Sequence, residues 1–304
     1  CFRISNSYSS NNMIIDVHTH LAFHEIFAKG FLSEIQHELR SAGLSDTLMN
    51  FLLNDQQGKK MIKEMDKAGI SKAVLLIADF GMALGEAALT LEEIHLLHYE
   101  VIKTYPNRFL AFAGADPRRG DEGLRIVDNA INNWGFHGLK LYPPCGFELD
   151  DPALYDYYEI CAARSLPILT HTGPSLRTLK TEKRYPETIR KIARQFKNCT
   201  IILGHGAVVN PQLNIELAKE FNNVFLDIST FQKVVSGMEE WEYRLKELFD
   251  VVPDKILFGT DWPMFRMSVT QKELVDRCLN AKTLSSENIS KLMHKNAEIA
   301  LNLI

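Results

Sequence analysis

MIIDVHTH at residues 13–20 is a short β-branched run that ends in polar residues. Its composition predicts a strand buried on both faces, because such strands are nearly continuous in Val, Ile, Leu and Phe. Seven later runs share this character: SKAVLLIAD (71–79), RFLAFAGAD (108–116), FHGLKLY (136–142), PILTHTG (167–173), TIILGHG (200–206), NVFLDIS (223–229) and KILFGTD (255–261). The chain therefore contains eight predicted strands.

Amphipathic stretches of helical length separate these runs. One of them begins with Asp151 and Pro152, a favoured N-cap and first-turn pair. Strands that alternate with helices predict an α/β fold, a single (β/α)8 TIM barrel over residues 13–304. Residues 21–55 are long for a βα loop and rich in Phe, and they predict a helical cap inserted after strand one. Residues 1–12, rich in Ser and Asn, predict a disordered extension.

The composition excludes several classes of partner. The 304 residues carry a formal net charge of -4, which argues against a nucleic-acid partner. The sequence has no apolar run of the roughly 18 residues that a membrane span needs. The five cysteines form no CxxC pair and are odd in number, as expected of reduced thiols in the cytoplasm. We expect a cytoplasmic protein with a small-molecule substrate, and the sequence leaves open whether it forms a homo-oligomer.

Side chains that bind metals recur at the carboxyl ends of the predicted strands. They are His18, His20, Lys140, His171, His205 and Asp261. The carboxyl ends of all barrel strands meet at one mouth, where barrel enzymes keep their active sites. His18 and His20 are two apart, so alternation places both on one face, where they chelate one ion. Imidazole nitrogen and carboxylate oxygen suit Zn, Mn, Ni or Fe(II).

A structural role is the competing interpretation of each of these residues. A single histidine in a strand is more often a hydrogen-bonded structural residue than a ligand. Burying all of these groups unpaired would cost several kcal/mol, however. Their joint occurrence at strand ends therefore indicates an active-site cluster.

Four motifs resemble the amidohydrolase superfamily. DVHTH (16–20) is similar to its HxH motif, and GTDWP (259–263) is similar to its strand-eight aspartate motif. THTG (170–173) and GHGA (204–207) resemble its histidine motifs of strands five and six. The resemblance extends over residues 13–304 and is strongest to the amidohydrolase-related (amidohydrolase 2) branch. That branch holds uncharacterised hydrolases and decarboxylases of the aminocarboxymuconate-semialdehyde type.

The resemblance implies a role for each motif residue. His18, His20 and Asp261 hold the more buried metal. His171 and His205 complete a second site, or His171 joins the first site while His205 polarises the substrate. Asp261 accepts a proton from a metal-bound water, whose pKa the ion lowers. The implied cofactor is one or two divalent ions, Zn in the first place and Mn as the alternative, and no organic cofactor is implied.

Lys140 separates two versions of the site. GLKLYPP (138–144) resembles the strand-four segment of dihydroorotase, whose lysine is carboxylated and bridges two metals. The alternative is an ordinary lysine that contacts an anionic substrate, because a free ammonium is a poor metal ligand. Ala22 stands where dihydroorotase has a substrate-binding arginine, which argues against dihydroorotate as the substrate.

Two reactions fit these residues. The first is metal-dependent hydrolysis of an amide, lactone or ester-like bond, with Asp261, His205 and Lys140 as the catalytic residues. The alternative is non-oxidative decarboxylation at a single metal. A barrel that has lost catalysis and only binds is disfavoured by the full ligand set. Elsewhere, His95 and His98 are interpreted as surface residues.

Overall fold

Eight parallel strands form the centre of the molecule in sequence order β1 to β8. The computed structural model describes residues 13–41, 43–179, 184–235, 237–264 and 266–304, so the predicted extension at 1–12 lies outside it. The strands are β1 (Ile15–Thr19), β2 (Lys72–Leu76), β3 (Phe109–Gly114), β4 (Leu139–Leu141), β5 (Ile168–His171), β6 (Ile201–Gly204), β7 (Val224–Asp227) and β8 (Ile256–Leu257). The prediction of eight barrel strands is confirmed.

The barrel closes between the last strand and the first. The amide of Val17 donates to the carbonyl of Phe258 at 3.0 Å, and the amide of Asp261 donates to the carbonyl of His18 at 2.8 Å. Both bonds join β1 to the residues that directly follow β8, so the two strands that are farthest apart in sequence become neighbours. The nearly closed sheet with helices between its strands is a (β/α)8 TIM barrel.

Helices connect the strands along the chain. They are α1 (Lys29–Ser41), α2 (Asp46–Leu52), α3 (Lys59–Ala68), α4 (Gly81–Leu84), α5 (Leu91–Thr104), α6 (Gly120–Asn132), α7 (Tyr155–Ala162), α8 (Glu187–Gln195), α9 (Pro211–Glu220), α10 (Phe231–Val234), α11 (Met238–Val251), α12 (Gln271–Leu279), α13 (Ser286–Ser290) and α14 (Asn296–Ala300). The predicted cap at Asp151 is present, since its side chain accepts the amide of Ala153 before α7. Thr90 and Thr270 form capping boxes that begin α5 and α12. Within the described residues, no helix combines the length and the apolar character that crossing a membrane requires.

The inside of the barrel is apolar at its amino end. Inward side chains such as Val17, Phe112 and Phe225 form one cluster with Ala300 and Leu301 of the C-terminal segment. His137, just before β4, bonds the carbonyl of Leu301 at 2.5 Å. The C-terminal segment therefore covers the amino end of the barrel, which leaves the carboxyl end for a site.

The segment at residues 21–55 holds α1 and α2, as the sequence predicts helices there. Phe27 and Phe31 stack with their ring centroids 5.0 Å apart, and Phe31 stacks on Phe80 after β2 at the same distance. Helix α1 thus packs on the chain that follows β2. Their service as a cap over the mouth stays a prediction.

Candidate metal centre

Three of the predicted ligands form a compact donor set. His18, His205 and Asp261 each offer one ligand atom, these atoms lie within 4.8 Å of one another, and all three residues are buried. His18 lies in β1, and the other two follow the ends of β6 and β8. The barrel therefore brings together residues that are far apart in sequence, at the end where such enzymes bind substrates.

The hydrogen bonds of His18 direct a lone pair at the Asp261 carboxylate. Nδ1 of His18 lies 2.8 Å from Oδ2 of Asp227, so it carries the proton that the carboxylate accepts. Burial, together with His205 and Lys140, holds the pKa of His18 well below its ordinary value and keeps the ring neutral. Nε2 then faces Oδ1 of Asp261 at 3.7 Å with an unprotonated nitrogen.

A cation between these two atoms removes the repulsion of two facing lone pairs. Ligand atoms of a tetrahedral zinc-like site, with bonds of about 2.0–2.1 Å, lie roughly 3.4 Å apart, close to the separation seen here. The donor set of imidazole nitrogen and carboxylate oxygen suits zinc and manganese. The residues present therefore fit a divalent ion.

His20 lies beside the donor set and faces the same carboxylate. Its Nε2 is 3.4 Å from Oδ1 of Asp261, and its Nδ1 is 2.9 Å from the carbonyl oxygen of Leu76. A carbonyl oxygen only accepts, so Nδ1 carries a proton and Nε2 is directed at Asp261. His20 is thus placed to bind the same ion through Nε2 or, when both ring nitrogens are protonated, to donate to the carboxylate.

An irregularity in β1 brings both histidines of the strand to the mouth. Ile15 and Val17 belong to the inner apolar cluster, whereas His18 and His20 reach the site. The pairing of β1 with β2 shifts register within residues 16–19. An irregularity of this kind redirects side chains at the end of a strand, so strict alternation does not hold between Val17 and His18.

His171 borders the site without joining the compact set. Its ring stacks on Tyr142 with centroids 4.1 Å apart and lies 4.8 Å from the ring of His205. Its Nε2 is 3.0 Å from the carbonyl oxygen of Pro174. Tyr142 in turn contacts Phe80 edge to face. An aromatic wall therefore continues from His171 towards the segment at residues 21–55.

Lys140 is a buried cation without a hydrogen bond among the described residues. Only 2% of the residue is exposed, and its Nζ lies 5.9 Å from the centroid of the Tyr142 ring. Burial lowers the pKa of Lys140 to about 8, although Asp227 and Asp261 oppose that shift. Its place in β4 follows the alternation of a strand, since Leu139 and Leu141 on either side pack in the outer core.

The backbone is strained at two of the donor residues. His205 has φ 62° and Asp261 has φ 56°, the left-handed region that side chains with a Cβ seldom adopt. The amide of His205 donates to Oδ1 of Asp227 at 2.8 Å, and the amide of Asp261 donates to the carbonyl of His18. Such conformations persist where surrounding bonds hold them, and they concentrate at functional sites.

Two site residues were missed by the sequence analysis. Asp227 ends β7, and its carboxylate accepts hydrogen bonds from Nδ1 of His18 and from the amides of His205 and Ser229. The hydroxyl of Ser229 lies 2.8 Å from Nδ1 of His205. Both residues lie in NVFLDIS (223–229). A polar group at the end of this predicted strand, as in the neighbouring strands, could have identified them as site residues.

Asp16 is a further buried carboxylate that joins the first strand to the last. Its side chain accepts the amide of Thr260 at 3.0 Å and the hydroxyl of Thr260 at 2.7 Å. Burial raises its pKa to about 7 despite these bonds. Because Thr260 directly precedes Asp261, Asp16 stabilises the turn that presents Asp261.

The electrostatic environment keeps His171 and His205 neutral and Asp261 ionised. Burial lowers the pKa of His171 well below its ordinary value, and it also lowers that of His205. For Asp261 burial acts to raise the pKa, but the hydrogen bond from His20 and the nearby histidines outweigh it and lower the pKa. Neutral imidazole and ionised carboxylate are the forms that bind metals.

His95 and His98 are buried in α5, and their predicted surface position is wrong. Each donates from Nδ1 to a carbonyl one turn earlier in its own helix at 2.8 Å. Nε2 of His95 also accepts the amide of Gly114 at 3.2 Å. These bonds let imidazoles be buried at the helix–sheet interface, away from the donor set.

The family model described as Amidohydrolase matches residues 15–303. Among curated proteins the comparison finds no match. The matches with solved structures extend over nearly the whole chain, but at identities that establish only the fold.

Three of the matched structures illustrate this likeness. An uncharacterised TIM-barrel protein from Bordetella bronchiseptica has 22% identity and a TM-score of 0.70, with 95% of this chain and 98% of that chain covered. A 5-carboxyvanillate decarboxylase from Novosphingobium aromaticivorans, complexed with manganese and 4-hydroxy-3-methoxy-5-nitrobenzoic acid, has 16% identity and a TM-score of 0.69, with 97% of each chain covered. A dihydroxybenzoic acid decarboxylase from a Polaromonas species, with bound manganese and 2-nitroresorcinol, has 19% identity and a TM-score of 0.65, with 96% of this chain and 97% of that chain covered.

Proposed function

The chain belongs to the amidohydrolase family, and we propose that it is a metal-dependent, non-oxidative decarboxylase of a small aromatic carboxylic acid. The observation that carries the proposal is one compact donor set, His18, His205 and Asp261, with the buried cation of Lys140 in electrostatic contact with it. A site of this kind suits an anionic substrate, because an ammonium without a partner is stabilised when a carboxylate pairs with it.

The residues supply what decarboxylation needs. The carbon–carbon bond to the carboxylate breaks, its electron pair stays on the substrate carbon, and a proton replaces the CO2 that leaves. A divalent ion in the donor set would supply a Lewis acid that binds substrate oxygen atoms. Lys140 would orient the anionic substrate. The proton would be taken up from solvent and held between Nε2 of His20 and Oδ1 of Asp261, whose facing atoms are 3.4 Å apart, and we propose that this pair delivers it to the substrate carbon.

The aromatic substrate class has support from the wall beside the donor set. Tyr142 stacks on His171, and Phe80 contacts Tyr142. Flat rings of this kind pack well against a planar substrate. The matched decarboxylases from Novosphingobium and Polaromonas have manganese and benzoate- or phenol-like ligands bound. Manganese and zinc both fit the donors here, and we propose manganese as the working ion.

Hydrolysis, which the sequence analysis favoured, has less support. In the described part of the chain only one group of three metal-binding side chains converges. A carbamate on Lys140 would need a second donor set to bridge to. Arg118 and Arg119, the other nearby cations after β3, are paired with Asp116 and Asp79 at 2.5 Å and are not free to bind a substrate.

The test is turnover by the full chain loaded with manganese or zinc. Hydroxybenzoates labelled with 13C in the carboxyl group would be supplied alongside lactones and amides, and labelled CO2 would be measured directly. In D2O the product should carry deuterium on the carbon that lost CO2. His18→Ala should lose the activity, whereas the control His24→Ala, whose side chain is 49% exposed, should keep it. Metal-dependent hydrolysis of a lactone or amide without any CO2 release would overturn the proposal.

A further inference from the structure

We propose that Asp227 and Ser229 are positioning residues that set the protons of His18 and His205, so that both imidazoles direct a nitrogen lone pair at the metal site. The inference deepens the proposed function and rests on its metal centre. Neither residue would bind the metal itself.

The Asp227 carboxylate has a fixed orientation. Its Oδ1 accepts the amide of His205 at 2.8 Å and the amide of Ser229 at 3.0 Å. A backbone amide only donates, so the atom at the Oδ1 position must be a hydrogen-bond acceptor. Oδ2 is left facing Nδ1 of His18 at 2.8 Å. The carboxylate therefore places the proton of His18 on Nδ1 and the lone pair on Nε2.

Ser229 extends the same control to the second histidine. Its hydroxyl donates to Oδ1 of Asp227, so the oxygen has lone pairs left to accept with. It lies 2.8 Å from Nδ1 of His205, and the carbonyl oxygen of Ser229 lies 3.3 Å from the same nitrogen. Both neighbours accept, so His205 also carries its proton on Nδ1 and its lone pair on Nε2.

Burial makes this arrangement difficult to replace with water. Asp227 and Ser229 are 0% exposed, and His18 and His205 are at most 3% exposed. A histidine that binds a metal usually donates its other ring proton to such a partner, which orients the ring and fixes its tautomer. One carboxylate thus serves two proposed ligands, the first directly and the second through a hydroxyl.

Asp227→Asn gives a sharp prediction because the amide can be seated in only one way. Its oxygen must take the Oδ1 position, where the two backbone amides donate, so its NH2 group must face Nδ1 of His18. The nearest partner of that nitrogen then donates, and only the longer 3.2 Å contact with the Ser229 hydroxyl oxygen is left as an acceptor, so we expect the ring proton to move to Nε2. The proton now points into the metal site, and we expect manganese affinity to fall on the order of 10–100-fold.

The measurement has two parts. Long-range 1H–15N spectra of metal-free, 15N-histidine-labelled protein report which ring nitrogen carries the proton, with signals assigned by His18→Gln and His205→Gln. Manganese titration by calorimetry reports the affinity. Wild type should show Nδ1–H on both rings, and Asp227→Asn should show Nε2–H on His18. Asp55→Asn is the matched control, since Asp55 is a buried aspartate that accepts the backbone amide of Met61.

Each result bears on the proposal separately from the reaction. An Asp227→Asn protein that keeps Nδ1–H on His18, with an affinity within twofold of wild type, would overturn it. If that variant does not fold, Ser229→Ala provides the test. His18 should keep its proton on Nδ1, whereas His205 keeps only its longer 3.3 Å bond to the backbone carbonyl of residue 229, so its Nε2–H tautomer should become populated and manganese should bind several-fold more weakly. Unchanged His205 signals and affinity would overturn it. The metal-free spectra need neither substrate nor ion, so absence of decarboxylation contradicts only the proposed function.

Discussion

Replacing Lys140 with methionine removes a buried charge and keeps a side chain of similar length. Burial lowers the pKa of Lys140 from 10.5 to about 8, and Nζ has no hydrogen bond among the described residues. Each tenfold change in an acid constant corresponds to about 1.4 kcal/mol, so holding this ammonium in the folded protein costs about 3 kcal/mol at neutral pH. We expect Lys140→Met to unfold at higher urea concentration than wild type while losing turnover.

The pH dependence separates this cause from better packing. The folded-state pKa lies below the unfolded value, so the destabilisation is complete below about pH 8 and is lost as the pH rises from about 8 towards 10.5. The gain in unfolding free energy of Lys140→Met should therefore be up to about 3 kcal/mol at pH 7 and shrink by pH 10. Lys197→Met, at an exposed position, should change stability by less than about 0.5 kcal/mol at either pH.

The measurement is urea unfolding of metal-free protein, followed by circular dichroism at pH 7 and pH 10. A Lys140→Met protein that is no more stable than wild type at pH 7 would refute the reasoning. So would a gain that stays constant between the two pH values, because packing of the methionine would then explain it.

Three further predictions follow from the site. Purified protein grown with manganese or zinc should hold about one equivalent of metal by elemental analysis, and His18→Ala should lose it; less than about a tenth of an equivalent in wild type would contradict the metal centre. Asp261→Asn should lower turnover by about 10²-fold or more with an unchanged circular dichroism spectrum, because the amide gives up the negative charge and the proton acceptor; turnover near wild type would remove Asp261 from the mechanism. Lys140→Arg keeps the charge but cannot form the carbamate under these conditions, so retained activity would exclude the bridge, and lost metal would support it.

Much of the barrel was predictable because its strands are buried on both faces. Continuous apolar runs leave a clear pattern, and all eight were found at the right places. Polar residues at the carboxyl ends of the predicted strands also identified His18, His205 and Asp261, whose ligand atoms lie within 4.8 Å of one another. These inferences depend on topology alone, which the order of strands and helices specifies.

What was missed depends on local geometry that composition does not encode. The register shift within residues 16–19 sets how the histidines of β1 reach the mouth, and no residue type marks it. The polarity of His95 and His98 predicted an exposed position, but each ring donates a hydrogen bond to a carbonyl of its own helix, which allows it to be buried. Asp227 lies at its strand end, yet it accepts hydrogen bonds from His18 and His205 and lies outside the donor set, so a pattern of metal-binding residues does not identify it.

The donor set combines several features that oppose folding. His205 and Asp261 hold left-handed backbone conformations, and Lys140 is a buried cation that makes no hydrogen bond with the part of the chain that the structure describes. Each such feature costs free energy that a purely structural barrel would avoid. Asp16 and Asp227 counteract the strain through bonds to the chain beside Asp261 and His205. A bound cation and a substrate carboxylate would relieve the remaining charge imbalance, so we expect the features that weaken the free protein to favour the binding of both proposed ligands.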